Sequence, residues 1–354
     1  MSRPWVSTTM SHMRILLEGI GGIGGVMAAR MIRAGHEPTL ITGNPGITEA
    51  INSTGIKAIT PRESFTVPAR ALTSLDDLTG ERFDVALLVM KAGQALEAAE
   101  KTLPLLEPET GYIVTLQNGI VEDAVAKIVG EQRVVSGIVG WGGTFVKPGV
   151  YEKTGPGEIH IGELNGRVTD RIRALATLLE ATCPIIVTDN IRGVLWSKLG
   201  INCTITTMGA LTGDTLGRML KDRQVRDAFL NIYREVVDTA ESLGVKLERI
   251  AANPKLLYLP KNAGVWKRFV KDMITRIVGH KYGGLKSSSL QSLERGRKTE
   301  IDYLNGYVVE KAKETGVEAP LNATIVRVIK EIEAGSRQIG PQNMTDLLAV
   351  MGTA

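Results

Sequence analysis

The side chains that could do chemistry fall into three groups along the chain. In the first, Trp196-Ser197-Lys198-Leu199-Gly200-Ile201-Asn202, Lys198 and Asn202 stand four apart. They therefore share one face of a helix, and that face also carries Thr206. A lysine whose stem is flanked by apolar groups such as Leu199 and Ile201 has a lowered pKa and can act as an acid near neutral pH. Taken by itself, Lys198 reads rather as a solvated helix lysine. The second group is Leu285 to Gly306 (LKSSSLQSLERGRKTEIDYLNG), where three serines open a helix as N-caps do and Glu300 precedes Ile301. In one straight helix Ser288 and Glu300 would stand about 120° apart at 100° per residue. They face a common ligand only if the helix begins after Ser288 or bends near Gly296; otherwise they are capping serines and an exposed carboxylate. The third group is Lys91, directly after the apolar run FDVALLVM, and Asn118, in the Gln117-Asn118-Gly119 that ends the apolar run Ile113 to Leu116. Polar groups at the carboxyl ends of parallel strands border the ligand crevice of an open α/β sheet. The competing readings are a solvated helix N-terminal region for Lys91 and an Asn-Gly turn for Asn118.

These groups need a scaffold, and the clearest element of one is Met13 to Arg33, MRILLEGIGGIGGVMAARMIR. An apolar strand, Ile15-Leu16-Leu17, leads through Gly19, Ile20, Gly21, Gly22, Ile23 and Gly24 into a helical pattern. This is G-x-G-x-x-G between a strand and a helix, the dinucleotide-binding arrangement. Gly19 permits the sharp turn, Gly21 admits a pyrophosphate close to the backbone, and Gly24 lets helix pack on strand. The helix N-terminus then faces the phosphates with N–H groups and a partial positive charge. A second strand is expected at Glu37 to Ile41. Its end, where an acidic residue would select NAD and an arginine NADP, has neither, only Thr42-Gly43-Asn44. Arg62, Lys57 or Asn44 could reach a 2′-phosphate, but each reads more naturally as a surface residue.

From there the pattern predicts short strands or a hairpin over Ile56 to Leu72 and buried strands at Phe83 to Met90 and Ile113 to Leu116. A strand over Val134 to Thr144, a hairpin over Gly149 to Gly162, a helix over Arg171 to Glu180 and a strand at Ile185 to Thr188 follow. Alternating strands and helices make this a Rossmann-type, doubly wound parallel sheet over residues 13–189. Beyond Ile191 only helical periodicity remains: Val194 to Leu211, Asp222 to Leu243, Gly264 to Ile277, Ser287 to Thr315 and Asn322 to Ala334. The fold class is thus α/β followed by an all-α domain at 190–340, with tails at 1–12 and 341–354. Ala252 to Lys281, rich in Lys and Arg around Trp266, reads as a lid, a subunit contact or a solvated helix pair.

Composition narrows the class further. The chain has 354 residues with 43% apolar content and a net charge of +4. That supports two cored domains and offers no basic run for nucleic acid, while remaining compatible with anionic small molecules. No apolar run is long enough for a membrane span, and the first twelve residues lack a signal-peptide core. Cys183 and Cys203 form no metal-site spacing and no disulfide framework, which suits a reduced cytoplasm.

Together the pieces resemble the ketopantoate reductase (2-dehydropantoate 2-reductase) family. The likeness runs from about Met13 to Ala334. It rests on the Gly19-Gly21-Gly24 loop, Lys91 with Gln94, Gln117-Asn118-Gly119, Trp196-x-Lys198-Leu199-x-x-Asn202, Ser287-Ser288, and Thr299-Glu300-Ile301-Asp302 before Asn305-Gly306. The resemblance implies an NADPH-dependent reductase of pantothenate biosynthesis with its active site in a cleft between a Rossmann and a helical domain; NADP(H) is favoured over NAD(H). Lys198 would be the general acid, Glu300 its support and a substrate contact, and Asn202 and Ser288 substrate contacts. Asn118 would bridge nicotinamide ribose and active site, with Lys91 in the same cleft. Thr206 stands where the family usually has a second Asn, Gly284-Leu285-Lys286 where an Asn usually precedes the serines, Gln291-Ser292 where Gln-Asp often follows them, and Gly43-Asn44 where an Arg often ends the second strand. Lost amide contacts bear on which substrate is preferred rather than on the proton transfer. The resemblance permits monomer or homodimer. The alternatives are a sister reductase for another branched or aromatic 2-oxo acid and a nucleotide-binding sensor without turnover.

Overall fold

The computed structural model describes residues 13–250 and 253–353; the tail expected at 1–12 lies outside them. The chain divides into two compact units. One comprises the residues up to Gln117 together with Glu122–Asp189; the other comprises Asn118–Val121 together with the residues from Asn190 on.

In the first unit the elements run β1 (Ile15–Glu18), α1 (Gly22–Arg33), β2 (Thr39–Ile41), α2 (Pro45–Thr54), β3 (Ile56–Ile59), β4 (Ser64–Val67), β5 (Ala71–Leu72), β6 (Val85–Leu88), α3 (Ala92–Thr102), β7 (Tyr112–Thr115), α4 (Glu122–Val129), β8 (Val134–Val139), β9 (Gly143–Lys147), β10 (Val150–Lys153), β11 (Ile159–Glu163), α5 (Asp170–Leu179) and β12 (Ile185–Val187). Eight strands form one sheet in the order β12-β11-β8-β7-β6-β1-β2-β5. Strands β1, β6 and β7 are buried along their whole length, which is why they read as unbroken apolar runs. Ile15 and Leu17 on one face of β1 join Val26, Met27 and Met31 of α1 in the core. The chain steps from β1 outward through β2 to β5 and then returns to β6 on the other side of β1. The switch point of the sheet therefore lies between the ends of β1 and β6, where open α/β sheets bind ligands.

Four features of this unit depart from the sequence reading. The sheet is mixed, because β11 runs antiparallel to β8. The strand expected over Val134 to Thr144 breaks at Gly140–Gly142: β8 stays in the large sheet while β9 joins a second sheet, β4-β3-β10-β9. The hairpin expected over Gly149 to Gly162 is displaced toward the N-terminus, since β10 pairs with β9 and β11 belongs to the other sheet. Small residues allow this crossing, for a Cβ on Gly22 would lie 2.3 Å from the Gly143 carbonyl oxygen, so α1 packs against β9 backbone to backbone. Finally, helix α2 stands where the sequence reading has none: exposed Asn44 caps it, accepting from the Ile47 N–H at 3.1 Å with Pro45 at the first helical position. Its side-chain oxygen is thereby committed to the cap.

The second unit contains α6 (Ile191–Ile201), a π-helical turn (Asn202–Thr206), α7 (Thr207–Thr212), α8 (Leu216–Met219), α9 (Arg223–Ser242), α10 (Val265–Lys281), α11 (Ser288–Glu294), a 3-10 turn (Ile301–Tyr303), α12 (Asn305–Thr315), α13 (Pro320–Glu333) and α14 (Met344–Thr353). Helix α9 is its axis, burying Phe229, Ile232, Tyr233 and Val236 and packing against α6, α12 and α13. The long helix expected over Ser287 to Thr315 is three pieces: α11 ends before Gly296, whose φ is +65°, and the 3-10 turn precedes α12. The loosely patterned stretch after Gly335 forms α14, which buries Leu347. The expected helix pair within 252–281 is one helix, α10, after a short 3-10 turn at Pro254–Leu256. No helix among the described residues is long and apolar enough to cross a membrane.

Candidate active site

At the switch point of the sheet, the Gly19–Gly24 loop meets the end of β6. Gly19 has φ +93°, and a Cβ there would lie 2.5 Å from the Met90 nitrogen, so only glycine permits the turn and the contact. A Cβ on Gly24 would lie 2.1 Å from the Gly19 carbonyl oxygen. Gly21, by contrast, has nothing within 4 Å of its Cβ position. It precedes the first turn of α1, which carries no acidic residue and no side-chain cap. The N–H groups of Gly22, Ile23 and Gly24 belong to that first turn, where helix geometry leaves donors without intrahelical partners. This arrangement fits the pyrophosphate of a dinucleotide. Lys91 follows β6 as the residue before α3 and is exposed, so the sheet brings Lys91 and the glycine loop to the same switch point. Gln117 does something else: its buried side chain donates to the Leu88 carbonyl at 2.8 Å and accepts from the Leu116 N–H at 3.0 Å, tying the ends of β6 and β7.

Asn118 belongs to the helical unit. The next two residues anchor it there: the Ile120 N–H donates to the Tyr303 carbonyl at 3.1 Å. Gly119 has φ +85°, and a Cβ on it would lie 2.5 Å from that same oxygen. Asn118 is thus attached to the 3-10 turn that follows Glu300.

Lys198 lies in the last turn of α6 and is half-buried; Leu195, Trp196 and Leu199 of the same helix are buried, with Trp196 tilted against Tyr307 at 5.7 Å. Burial lowers its pKa to about 8, and the negative charge of Glu300 partly opposes that fall. Glu300 sits before the 3-10 turn, its carbonyl accepting from the Tyr303 and Leu304 N–H groups at 3.0 and 3.1 Å. Its neighbour Thr299 donates through both N–H and Oγ1 to Glu333 Oε1, each at 2.7 Å, which fixes the turn to the end of α13. An ammonium with a pKa near 8, held within reach of a carboxylate's field, can give up a proton close to neutral pH.

Asn202 and Thr206 lie on the π turn, and this changes the geometry expected from a straight helix. The Thr207 N–H reaches back five residues to the Asn202 carbonyl. The Cys203 carbonyl, which an α-helix would pair with that N–H, instead accepts from Thr207 Oγ1 at 2.5 Å and from Asn305 Nδ2 at 3.2 Å. Asn305 also donates to Asn322 Oδ1 at 2.9 Å, and Asn322 donates to Glu235 at 2.7 Å. A buried polar chain, Glu235–Asn322–Asn305, therefore holds the register shift that presents Asn202 and Thr206. Sequence reasoning missed Glu235 and Asn322, which only distant contacts bring together. Ser288 is the first residue of α11 and exposed; Ser287 before it is the buried cap, accepting from the Leu290 N–H at 3.1 Å. Helix α11 packs against α7 and the π turn. Because α11 and the Glu300 turn are separate elements, the bend near Gly296 that a shared ligand requires is present.

Comparison with known proteins matches residues 15–166 to the family model for ketopantoate reductase PanE/ApbA and residues 190–333 to that for the ketopantoate reductase PanE/ApbA C terminal. The chain belongs to the ketopantoate reductase family. It is an oxidoreductase of that family. Among its relatives, a 2-dehydropantoate 2-reductase of Mesorhizobium japonicum is 28% identical over 90% of this chain and 98% of its own length. One of Aquifex aeolicus is 27% identical over 91% and 97%. A solved PanE/ApbA family ketopantoate reductase from Ralstonia eutropha JMP134 superposes with a TM-score of 0.77 at 26% identity, over 92% of this chain and 100% of that one. D-mandelate dehydrogenase with NADH and anilino(oxo)acetate superposes at 0.78 with 20% identity over 91% and 99%, a likeness of fold alone. The ketopantoate reductase models cover both the glycine loop and the Lys198–Glu300 region, so the two groups of residues built above lie in the family's own segments.

Proposed function

We propose that this chain reduces a 2-oxo acid to the 2-hydroxy acid, with ketopantoate to pantoate as the favoured reaction. The observation that carries the reading is Lys198: a half-buried ammonium with a pKa of about 8, under the influence of Glu300. A nicotinamide dinucleotide supplies the hydride when bound, and NADP(H) is the favoured form. Its pyrophosphate would lie on the Gly19-Ile20-Gly21-Gly22-Ile23-Gly24 loop, with Lys91 alongside and Asn118 as the ribose contact. Lys198 stabilises the negative charge that grows on the ketone oxygen and then protonates that oxygen. Glu300 keeps the lysine protonated at neutral pH and accepts a substrate hydroxyl. Asn202, Thr206 and Ser288 hold the remaining polar groups of the substrate. A pure nucleotide sensor has no use for a tuned proton donor.

One feature favours a second substrate. Thr206 is a short hydroxyl at a position where the family resemblance leads one to expect an amide, and it reaches less far toward substrate oxygens. That suits a sister 2-oxo acid with a bulkier branched or aromatic group. A substrate panel followed at 340 nm, run separately with NADPH and NADH, tests the choice. Ketopantoate turned over with the highest kcat/KM supports the first reading; turnover no better than that of simple 2-oxo acids overturns it.

A further inference from the structure

Between α8, the start of α9 and the last turns of α10 lies a cavity of about 520 Å³. Neither Lys198, Glu300 nor the glycine loop lines it. Part of its wall is bare backbone. A Cβ on Gly217 would lie 2.6 Å from the Gly283 Cα, and one on Gly279 would lie 2.8 Å from the Leu220 Cβ, so α8 and α10 approach as closely as glycine allows. The Gly217 N–H donates to the Gly283 carbonyl at 3.1 Å and fixes that approach.

The rest of the wall is cationic. Arg218, Lys221, Arg226, Arg276 and His280 line the cavity, and no acidic side chain does. Two carboxylates stand close by: Asp214 pairs with Arg218 at 3.1 Å, and Asp272 serves both Arg226 at 2.5 Å and Arg276 at 2.9 Å. Four permanent cations against two carboxylates leave two positive charges. Arg226 decides what they are for. It is only 2% exposed. Its Nε donates to Asp272, and its Nη1 donates to the Leu220 and Lys221 carbonyls at 3.0 and 2.7 Å. Its Nη2 has no acceptor among the described residues. A buried guanidinium is costly unless its charge and its donors are met, and here one carboxylate is shared between two guanidiniums.

We propose that this cavity binds a phosphate-bearing small molecule, a ligand additional to the dinucleotide and the oxo acid, with Arg226 Nη2, Arg276 and Lys221 as its phosphate contacts. The cations come from three elements and converge from different sides. That suits the tetrahedral oxygens of a phosphate better than a flat carboxylate, which one guanidinium fork satisfies. The volume falls in the range of small-molecule sites, about 300–1,000 Å³, so the ligand carries a second phosphate or an organic group. The proposal is independent of the substrate reading.

Isothermal titration calorimetry of the full chain with inorganic pyrophosphate in magnesium-free buffer tests it. The wild type is expected to bind with a Kd of about 10–100 μM, and Lys221→Ala and Arg276→Gln are each expected to weaken binding about tenfold, the loss of one charge-assisted hydrogen bond. Both side chains are exposed, so the fold does not rest on them. Gly21→Ala, in the dinucleotide loop, is expected to retain this binding. No measurable pyrophosphate binding by the wild type overturns the proposal. Binding that is lost in Gly21→Ala and kept in the two cavity variants also overturns it, and puts the anion on the glycine loop. Citrate bound as tightly as pyrophosphate overturns the choice of phosphate.

Discussion

The carboxylate of Glu300, at the edge of a 3-10 turn, raises the pKa of Lys198, in the last turn of α6, against the burial that brings it down to about 8. Neither residue alone would serve. Burial without the carboxylate would leave the lysine more easily deprotonated, and a carboxylate beside an exposed lysine would leave it a poor proton donor.

The first prediction is a pH profile. Reduction needs the protonated lysine, so kcat/KM is expected to hold below the pKa and fall as pH rises through about 8. Glu300→Gln removes the charge that raises the pKa, so the falling limb should move to lower pH. A limb that stays in place, or moves up, would show that Glu300 does not act on the titrating group.

The second separates two glycines of one loop. Gly24→Ala drives a methyl to 2.1 Å from the Gly19 carbonyl oxygen, and overpacking of that kind destabilises by about 1–3 kcal/mol. Gly21→Ala meets no protein atom within 4 Å, so thermal unfolding should barely change while dinucleotide affinity drops. Equal losses of stability in the two variants would count against an open cradle at Gly21.

The third concerns the π turn. Asn305→Leu removes the amide that donates to the Cys203 carbonyl and also strips Asn322 of a partner. The buried loss should destabilise by about 1–3 kcal/mol. Because the turn carries Asn202 and Thr206, KM for the oxo acid should rise, with dinucleotide affinity unchanged in fluorescence titration. A KM that does not move would separate the network from the site.

How much of this was legible in the sequence depends on the range of the forces involved. The glycine loop was, because its constraints act within a few residues: φ at Gly19, close approach at Gly24. The capping pair Asn44-Pro45 that opens helix α2 is equally local and carries the same kind of signal. The mixed sheet is not readable, because only the partner strands decide that β11 runs antiparallel to β8 and that β9 leaves for the second sheet. Helical periodicity over Val194 to Leu211 hid the π turn, since a one-residue register shift barely disturbs an apolar pattern. What selects the shift is Asn305, about a hundred residues later in the chain. The break between Ser288 and Glu300 was foreseen as a condition, at Gly296, but the structure was needed to show it met.

The central claim is that Lys198 is the proton donor of a 2-oxo acid reductase, and Lys198→Ala tests it most directly. NADPH oxidation by ketopantoate, followed at 340 nm, should fall by about 10²–10⁴-fold while fluorescence titration shows dinucleotide affinity nearly unchanged. Turnover equal to that of the wild type would contradict the account.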